Sequence, residues 1–379
     1  MKIRWSRREF VQWAGFSSLS SGGLCSSLLP LKGRGSEAGF AYVASSEGAD
    51  EGIHTYAMRG DRWERLQTLR SRRPVALATG SDRRFLYAVN EVDMHEGLPM
   101  GTVEAYAIGR DGRLTFLNRS ALALSATMPR HAAVSADGRS LVVAVHGGGA
   151  YNVLPIVEDG SLGRVAGILK EVGAERTGSS RRARPRMVAF DKAGRVVSVD
   201  EGTDRLNVLS VSDAGIAAHM RAELADGSSP TQVAMHPAGE RIYVMQAEAI
   251  ACYGYDAAAG RVLEPVQHLP IAGAVEGAGA MAVHPSGRFL YACQSDGGVA
   301  TWSLTASGDL AARTSGTQAA GMGELHAIEM APNGRSLMGI NRRRGLIQQA
   351  EIDSATGRLM PAAVVARLDS PSSLTMIYS

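Results

Sequence analysis

The sequence predicts an all-β fold: a seven-bladed β-propeller of four-stranded antiparallel blades, closed by N- and C-terminal strands that share one blade. Three observations predict it. First, a tight-turn motif ending in arginine recurs six times, at Ser81–Arg84, Ala136–Arg139, Lys192–Arg195, Ala238–Arg241, Pro285–Arg288 and Pro332–Arg335, with successive arginines 55, 56, 46, 47 and 47 residues apart. A period of that size marks a repeat architecture. Second, another Gly- or Asp-bearing turn falls once in each repeat, at Asp111–Leu114, Asp159–Leu162, Asp213–Ile216, Ala259–Val262, Ser307–Leu310 and Thr356–Leu359. These residues tolerate the positive φ that tight hairpins demand. Third, the runs between turns alternate as strands do, as in Gly101–Ile108, and the body carries no sustained helical periodicity.

Each repeat therefore holds four short strands, A to D; in the third they fall near 131–135, 140–145, 151–157 and 162–168. Six turn motifs alone give six blades. However, Phe40–Ala44, Gly52–Met58 and Trp63–Thr68 read as strands B, C and D of a further blade, and Ser373–Tyr378 supplies its missing strand A. Closure by the two ends gives seven blades and removes exposed sheet edges.

Composition sets limits on function. The formal charge of +3 belongs to the N-terminus: residues 1–38 hold six Lys/Arg and two Asp/Glu, so the remainder carries 34 basic and 35 acidic side chains, or −1. A near-neutral body gives no reason to expect nucleic-acid binding. Ser6-Arg7-Arg8-Glu9-Phe10 resembles the twin-arginine export motif, a weakly apolar Gly/Ser-rich stretch follows to Leu31, and Ser36-Glu37-Ala38 offers small residues for cleavage. Residues 1–38 are thus expected to be a removable address and 39–379 the propeller domain, periplasmic or secreted, with no stable membrane span after cleavage. Cys252 and Cys293 remain in the mature part, each within a short apolar run, and read as buried free thiols, although an oxidising compartment permits a disulfide.

Strand alternation locates the active face. The A–B and C–D turns are short and share one face, while the longer D–A and B–C connections, such as 91–100, 170–185, 267–279 and 314–324, share the other. Long loops on a rigid scaffold are where function concentrates. Residues that begin strand A or end strand B should ring the channel mouth there. The B-strand ends carry Asn90-Glu91, His146, Asp200-Glu201, Gln246, Gln294 and Asn341; the A-strand starts carry Arg130-His131, Arg186, Gln232 and Glu324-Leu325-His326. A ring of polar groups suits a small polyol or anion. His131 is the expected proton carrier, with Glu91 or Glu201 to orient it or to activate water. Arg130 and Arg186 are expected to hold an anion or an oxyanion. His146, Gln246, Gln294 and His326 complete the expected substrate-binding set. The basic loops Arg181–Arg186 and Arg342–Arg344 favour an anionic ligand. Asp93, His95 and Glu96 form a single weak metal-like loop, so neither a metal nor a cofactor is assigned.

The repeat resembles the seven-bladed β-propeller lactonase family, whose best-known members are 6-phosphogluconolactonases. The resemblance spans 40–379 and is strongest at Phe85–Glu91, Pro129–Arg139 and His284–Ala292. It implies a hydrolase for small lactones, with His131 matching a pocket histidine and Glu91 an acidic pocket residue. Three blade openings depart from the family pattern: Arg184-Pro185-Arg186 replaces a His-x-His-like segment, Thr231-Gln232 an Arg-His, and Gly279-Ala280-Met281 an Ala-Glu-Ile-like one. Two functions are therefore weighed. One is an exported lactonase, acting as a monomer on a sugar lactone or similar cyclic ester. The other is a non-catalytic exported propeller that binds a sugar, an anion or a protein partner.

Overall fold

The structure, a computed structural model, describes residues 38–176, 179–212, 215–271, 281–294, 298–315 and 321–378. Of the proposed export segment 1–38, all but Ala38 lies outside them. The described chain folds into seven four-stranded antiparallel sheets. Blade 1 pairs Pro371–Tyr378 with Ala38–Ser45, which pairs in turn with Gly52–Arg59 and Arg62–Leu69. The expected closure by the two ends is therefore present, with Tyr42 opposite Thr375. Blades 2 to 7 begin with strands Pro74–Thr79, Pro129–Val134, Pro185–Phe190, Gln232–Met235, Met281–Val283 and Ala327–Met330. Each of these innermost strands packs on the next, and the seventh packs on Pro371–Tyr378, so the ring closes. One further ladder, Ala174–Arg176 with Ser179–Arg181, sits in the D–A connection between blades 3 and 4.

The core is a circle of seven apolar clusters, one at every blade–blade interface. Tyr42, Ile53, Leu86 and Tyr106 fill the seam between blades 1 and 2, and Ala41, Val43, Met338 and Ile340 that between blades 7 and 1. Second strands such as Phe85–Asn90 and Phe289–Cys293 are buried almost throughout, whereas outer strands such as Arg62–Leu69 alternate or lie exposed. This gradient follows from geometry: a second strand has blades on both faces, an outer strand has solvent at its edge. Cys252 and Cys293 are buried free thiols within these seams.

The recurrent turns prove to be docking points between blades. Tyr87 donates its hydroxyl to the Gly160 carbonyl at 3.1 Å, and Tyr291 to Gly357 at 2.9 Å; Tyr42 and Tyr243 do the same to Gly112 and Gly308. Each time a strand-B tyrosine reaches the C–D turn of the following blade. His236 and His284 likewise bond the carbonyls of Gly287 and Gly334, in the next A–B turn, at 2.9 and 2.8 Å. The turn arginines brace the same seams: Arg195 donates to Ala257 and Ala258 carbonyls, both at 2.8 Å. Gly160 shows why glycine is needed. Its φ is +87°, and a Cβ there would lie 2.1 Å from the Phe85 ring.

Candidate functional site

A cavity of about 190 Å³ opens at the channel mouth on the face of the D–A and B–C connections. Its rim is cationic. Arg130, Arg186 and His326 each stand nine residues before their own turn arginine, at the start of strand A, and Arg342 follows the end of a strand B. His326 feels Arg342, Arg186 and Arg130 together; burial first, then these three charges, pushes its imidazole down to about 4. It is a neutral hydrogen-bonding group at physiological pH. Arg130 is also lowered, mainly by burial, with Glu91 opposing and Arg186 and Arg342 adding to the effect. Three guanidiniums thus act on one small volume.

His131 lies in the same cavity. Burial pushes its ring down to about 4, partly offset by a hydrogen bond to the Val188 carbonyl of the next blade. Its Nδ1 is enclosed and has no hydrogen-bond partner. The ring is therefore neutral at physiological pH.

The two carboxylates expected to serve His131 do something else. Glu91, only 6% exposed in its side chain, accepts from Arg130 at 2.7 Å and faces Arg73 at 3.5 Å. Glu201 accepts from Arg186 at 3.0 Å and stands 3.4 Å from His146 Nε2. The His146 hydrogen bond, followed by the Arg186 charge, holds the Glu201 carboxyl below its ordinary range. Both carboxylates thus fix arginines rather than orient the imidazole, because a buried guanidinium needs its countercharge within contact. His146 is a second partner of Glu201 and is not among the residues lining the cavity.

Other expected binders lie off the cavity. Gln246 is buried and bonds His268 at 3.1 Å; Gln294 is fully buried and accepts from Arg313 at 2.8 Å. These glutamines brace their own blades. Gln232 lines the cavity but clasps the backbone of Met281 through both amide atoms, at 2.9 and 2.6 Å. Asn90, Asp200 and Asn341 cap loop backbone. Of the two basic loops each gives one guanidinium to the rim. Arg181 is instead drawn to buried Asp204 at 2.5 Å, and Arg343 pairs with Glu324 at 3.2 Å. His95 and Glu96 meet at 3.8 Å, and among the described residues no cluster of three or more His, Cys, Asp or Glu could hold a metal ion.

One cavity residue, Glu329, escaped the sequence reading, and Arg342 was named there only as part of a basic loop. Arg342 bonds Ser46 at 2.9 Å and approaches Glu47 at 3.4 Å, across the seam to blade 1. Glu329 lines the cavity below His326 on the strand Ala327–Met330, and burial alone pushes its carboxyl up to about 8. A signal for it existed. Six residues before the turn arginine the other repeats carry Ala78, Ala133, Ala189, Met235 and Ala282; only here does that register hold a charge-bearing residue.

Comparison with known proteins agrees with this architecture. The family model for lactonases with a seven-bladed β-propeller matches residues 40–376. A 6-phosphogluconolactonase of Bacillus subtilis is 26% identical over 261 residues, covering 66% of this chain and 73% of that protein. Among solved structures, one titled a periplasmic gluconolactonase of Pseudomonas aeruginosa superposes with a TM-score of 0.76 at 23% identity, covering 90% of this chain and 99% of that one. A Bacteroides uniformis protein, solved as a candidate 6-phosphogluconolactonase, gives 0.78 at 20% identity, covering 90% and 100%. At such identities the structural likenesses speak for fold. No helix among the described residues is long and apolar enough to cross a membrane.

Proposed function

The chain belongs to the seven-bladed β-propeller lactonases, and from that premise we propose that it is an exported hydrolase that opens a sugar lactone or similar cyclic ester. The observation that carries the reading is one cavity shared by a neutral His131 and the guanidiniums of Arg130, Arg186 and Arg342. Water attacks the lactone carbonyl while His131 takes its proton as general base. The carbonyl oxygen gains negative charge, which the guanidiniums stabilise. The tetrahedral intermediate then collapses; the acyl carbon–ring oxygen bond breaks, and the proton on His131 passes to the departing alkoxide. The product is an open-chain hydroxy acid, whose carboxylate the rim also favours. Glu91 and Glu201 act one step back, keeping Arg130 and Arg186 aimed inward. Export rests on the Arg7-Arg8 leader, and one structural relative carries a periplasmic title.

The second reading is a non-catalytic propeller that binds a sugar acid or another anion. It draws on the partners of the carboxylates: Glu91 pairs with Arg130 and Arg73, and Glu201 Oε2 with Arg186 and His146, rather than with His131. One experiment separates the two. Purified protein is assayed by pH-stat against neutral and anionic lactones, with spontaneous hydrolysis subtracted. Turnover lost in His131→Ala supports the hydrolase. Turnover unchanged in that variant removes His131 from the mechanism, and binding without turnover leaves the second reading standing.

A further inference from the structure

The cavity has two tiers, and the lower one has no part in the mechanism above. His326 stands at the rim; Glu329 lies three residues further along the same strand, about 10 Å at the rise of an extended chain. The equivalent register in the other turn-bearing blades is Ala78, Ala133, Ala189, Met235 and Ala282, none of them charge-bearing, and Glu329 shares the cavity with the apolar Val75, Met187, Ile328, Ile340 and Leu374. Part of the Glu329 surface faces the cavity. We propose that Glu329 is a specificity-determining residue of this site, whose carboxyl on the cavity floor hydrogen-bonds an uncharged oxygen, a hydroxyl or ring oxygen, of the lactone held above by the arginine rim. The inference rests on the lactonase reading and deepens it.

Chemistry selects the class of partner. Titratable groups facing the same cavity are Arg130, His131, Arg186, His326 and Arg342. The strands flanking Glu329, Ser336–Asn341, Met281–Val283 and Pro371–Tyr378, carry no charged side chain, and their one titratable group, Tyr378, ends the last of them. No charge or hydrogen bond offsets burial, which takes the carboxyl to about 8. At neutral pH it is a carboxylic acid, one donor and one acceptor. A hydroxyl presents the matching pair; a second anion would meet neither a countercharge nor an amide. Sites built to hydrogen-bond a substrate hydroxyl strongly reject the analogue that lacks it, because the protein group is then left unpaired.

The test compares D-glucono-δ-lactone with unsubstituted δ-valerolactone, using wild type, Glu329→Gln and Glu329→Ala, each checked for native unfolding. Glu329→Ala is expected to lower kcat/KM roughly 10- to 100-fold on the hydroxylated lactone and to change it by less than about 2-fold on δ-valerolactone. Wild-type kcat/KM on gluconolactone should fall above pH 8, whereas Glu329→Gln, an amide that cannot ionise, should stay level. Equal losses on both lactones, or an alkaline fall that survives in Glu329→Gln, overturn the proposal. If wild type hydrolyses neither lactone, the lactonase reading fails, and Glu329 is judged by calorimetric binding of gluconate. Affinity that weakens above pH 8 in wild type but not in Glu329→Gln upholds the floor contact, and the absence of that difference overturns it.

Discussion

Replacing Glu329 by glutamine should stabilise the protein, and the gain should grow with pH in a way only a buried acid explains. In the folded chain the carboxyl titrates near 8, against an ordinary value of 4.5. Below pH 4.5 both folded and unfolded chains keep the proton, so wild type and Glu329→Gln differ by a constant. Between 4.5 and 8 the unfolded chain ionises while the folded one does not, and wild type loses stability progressively. Above 8 the folded carboxyl ionises too and the loss levels off. The ceiling is 8 − 4.5 = 3.5 units, or roughly 5 kcal/mol at about 1.36 kcal/mol per unit. Water in the open cavity trims this, so a pH-dependent gain of about 2–4 kcal/mol is expected by pH 9. Urea unfolding of both proteins at pH 4.5, 6, 7.5 and 9 measures it, and the shared histidines cancel in the difference. A gap between the two curves that stays constant over that range refutes the buried, uncompensated carboxyl.

Two other outcomes follow from the rim. His131 and His326 both titrate near 4, so kcat/KM should hold from pH 8 to 5 and fall only as the folded imidazoles finally protonate. Stability behaves oppositely to that plateau: below about 6.5 the unfolded imidazoles bind protons that the folded ones refuse, so denaturant midpoints should drop from pH 6.5 to 4, less steeply in His326→Gln. Glu91→Gln should cost about 2–3 kcal/mol in urea unfolding, since it leaves Arg130 and Arg73 facing each other's charge. Adding Arg130→Met should recover about 1 kcal/mol or more; strict additivity of the two changes would show that the pair is uncoupled.

Much of this molecule was legible in its sequence because the repeat supplies its own ruler. The turn period counted blades, and the surplus strands at both ends closed the ring. The rule that strand-A starts and strand-B ends face the mouth found Arg130, His131, Arg186 and His326. It failed at Gln246 and Gln294, which lie five and six residues after their turn arginines. A one-residue difference in position reverses the side a strand residue faces, so being last in a strand does not specify direction. Arg342, read only as part of a basic loop, follows its turn arginine by seven residues, as Glu91 and His146 do, yet those two do not line the cavity, so register alone did not mark it for the rim. The partners chosen by Glu91 and Glu201 were not legible. Nothing in a linear order tells a carboxylate whether the nearest claimant is an imidazole or a guanidinium from the neighbouring blade.

The two faces of the propeller answer to different constraints, and that difference makes the site possible. Three guanidiniums around a cavity of about 190 Å³ repel one another, which adds to the effect of burial in pushing Arg130 and His326 down. In a pliable scaffold they would relax by parting. Here the blades are fixed from the other end: Tyr42, Tyr87, Tyr243 and Tyr291 hold turn carbonyls of the next blade, and His236 and His284 do the same one turn over. Glu91, Glu201 and Glu47 each take hold of one arginine from the rear, without entering the cavity floor. The repulsion is therefore held in place rather than dissipated, and it is relieved when an anion, or a carbonyl becoming one, enters the rim. On the proposed reading, a substrate that also satisfies Glu329 presents a hydroxyl or ring oxygen at one end and developing negative charge at the other, which is the polarity of a sugar lactone at the moment its ring opens.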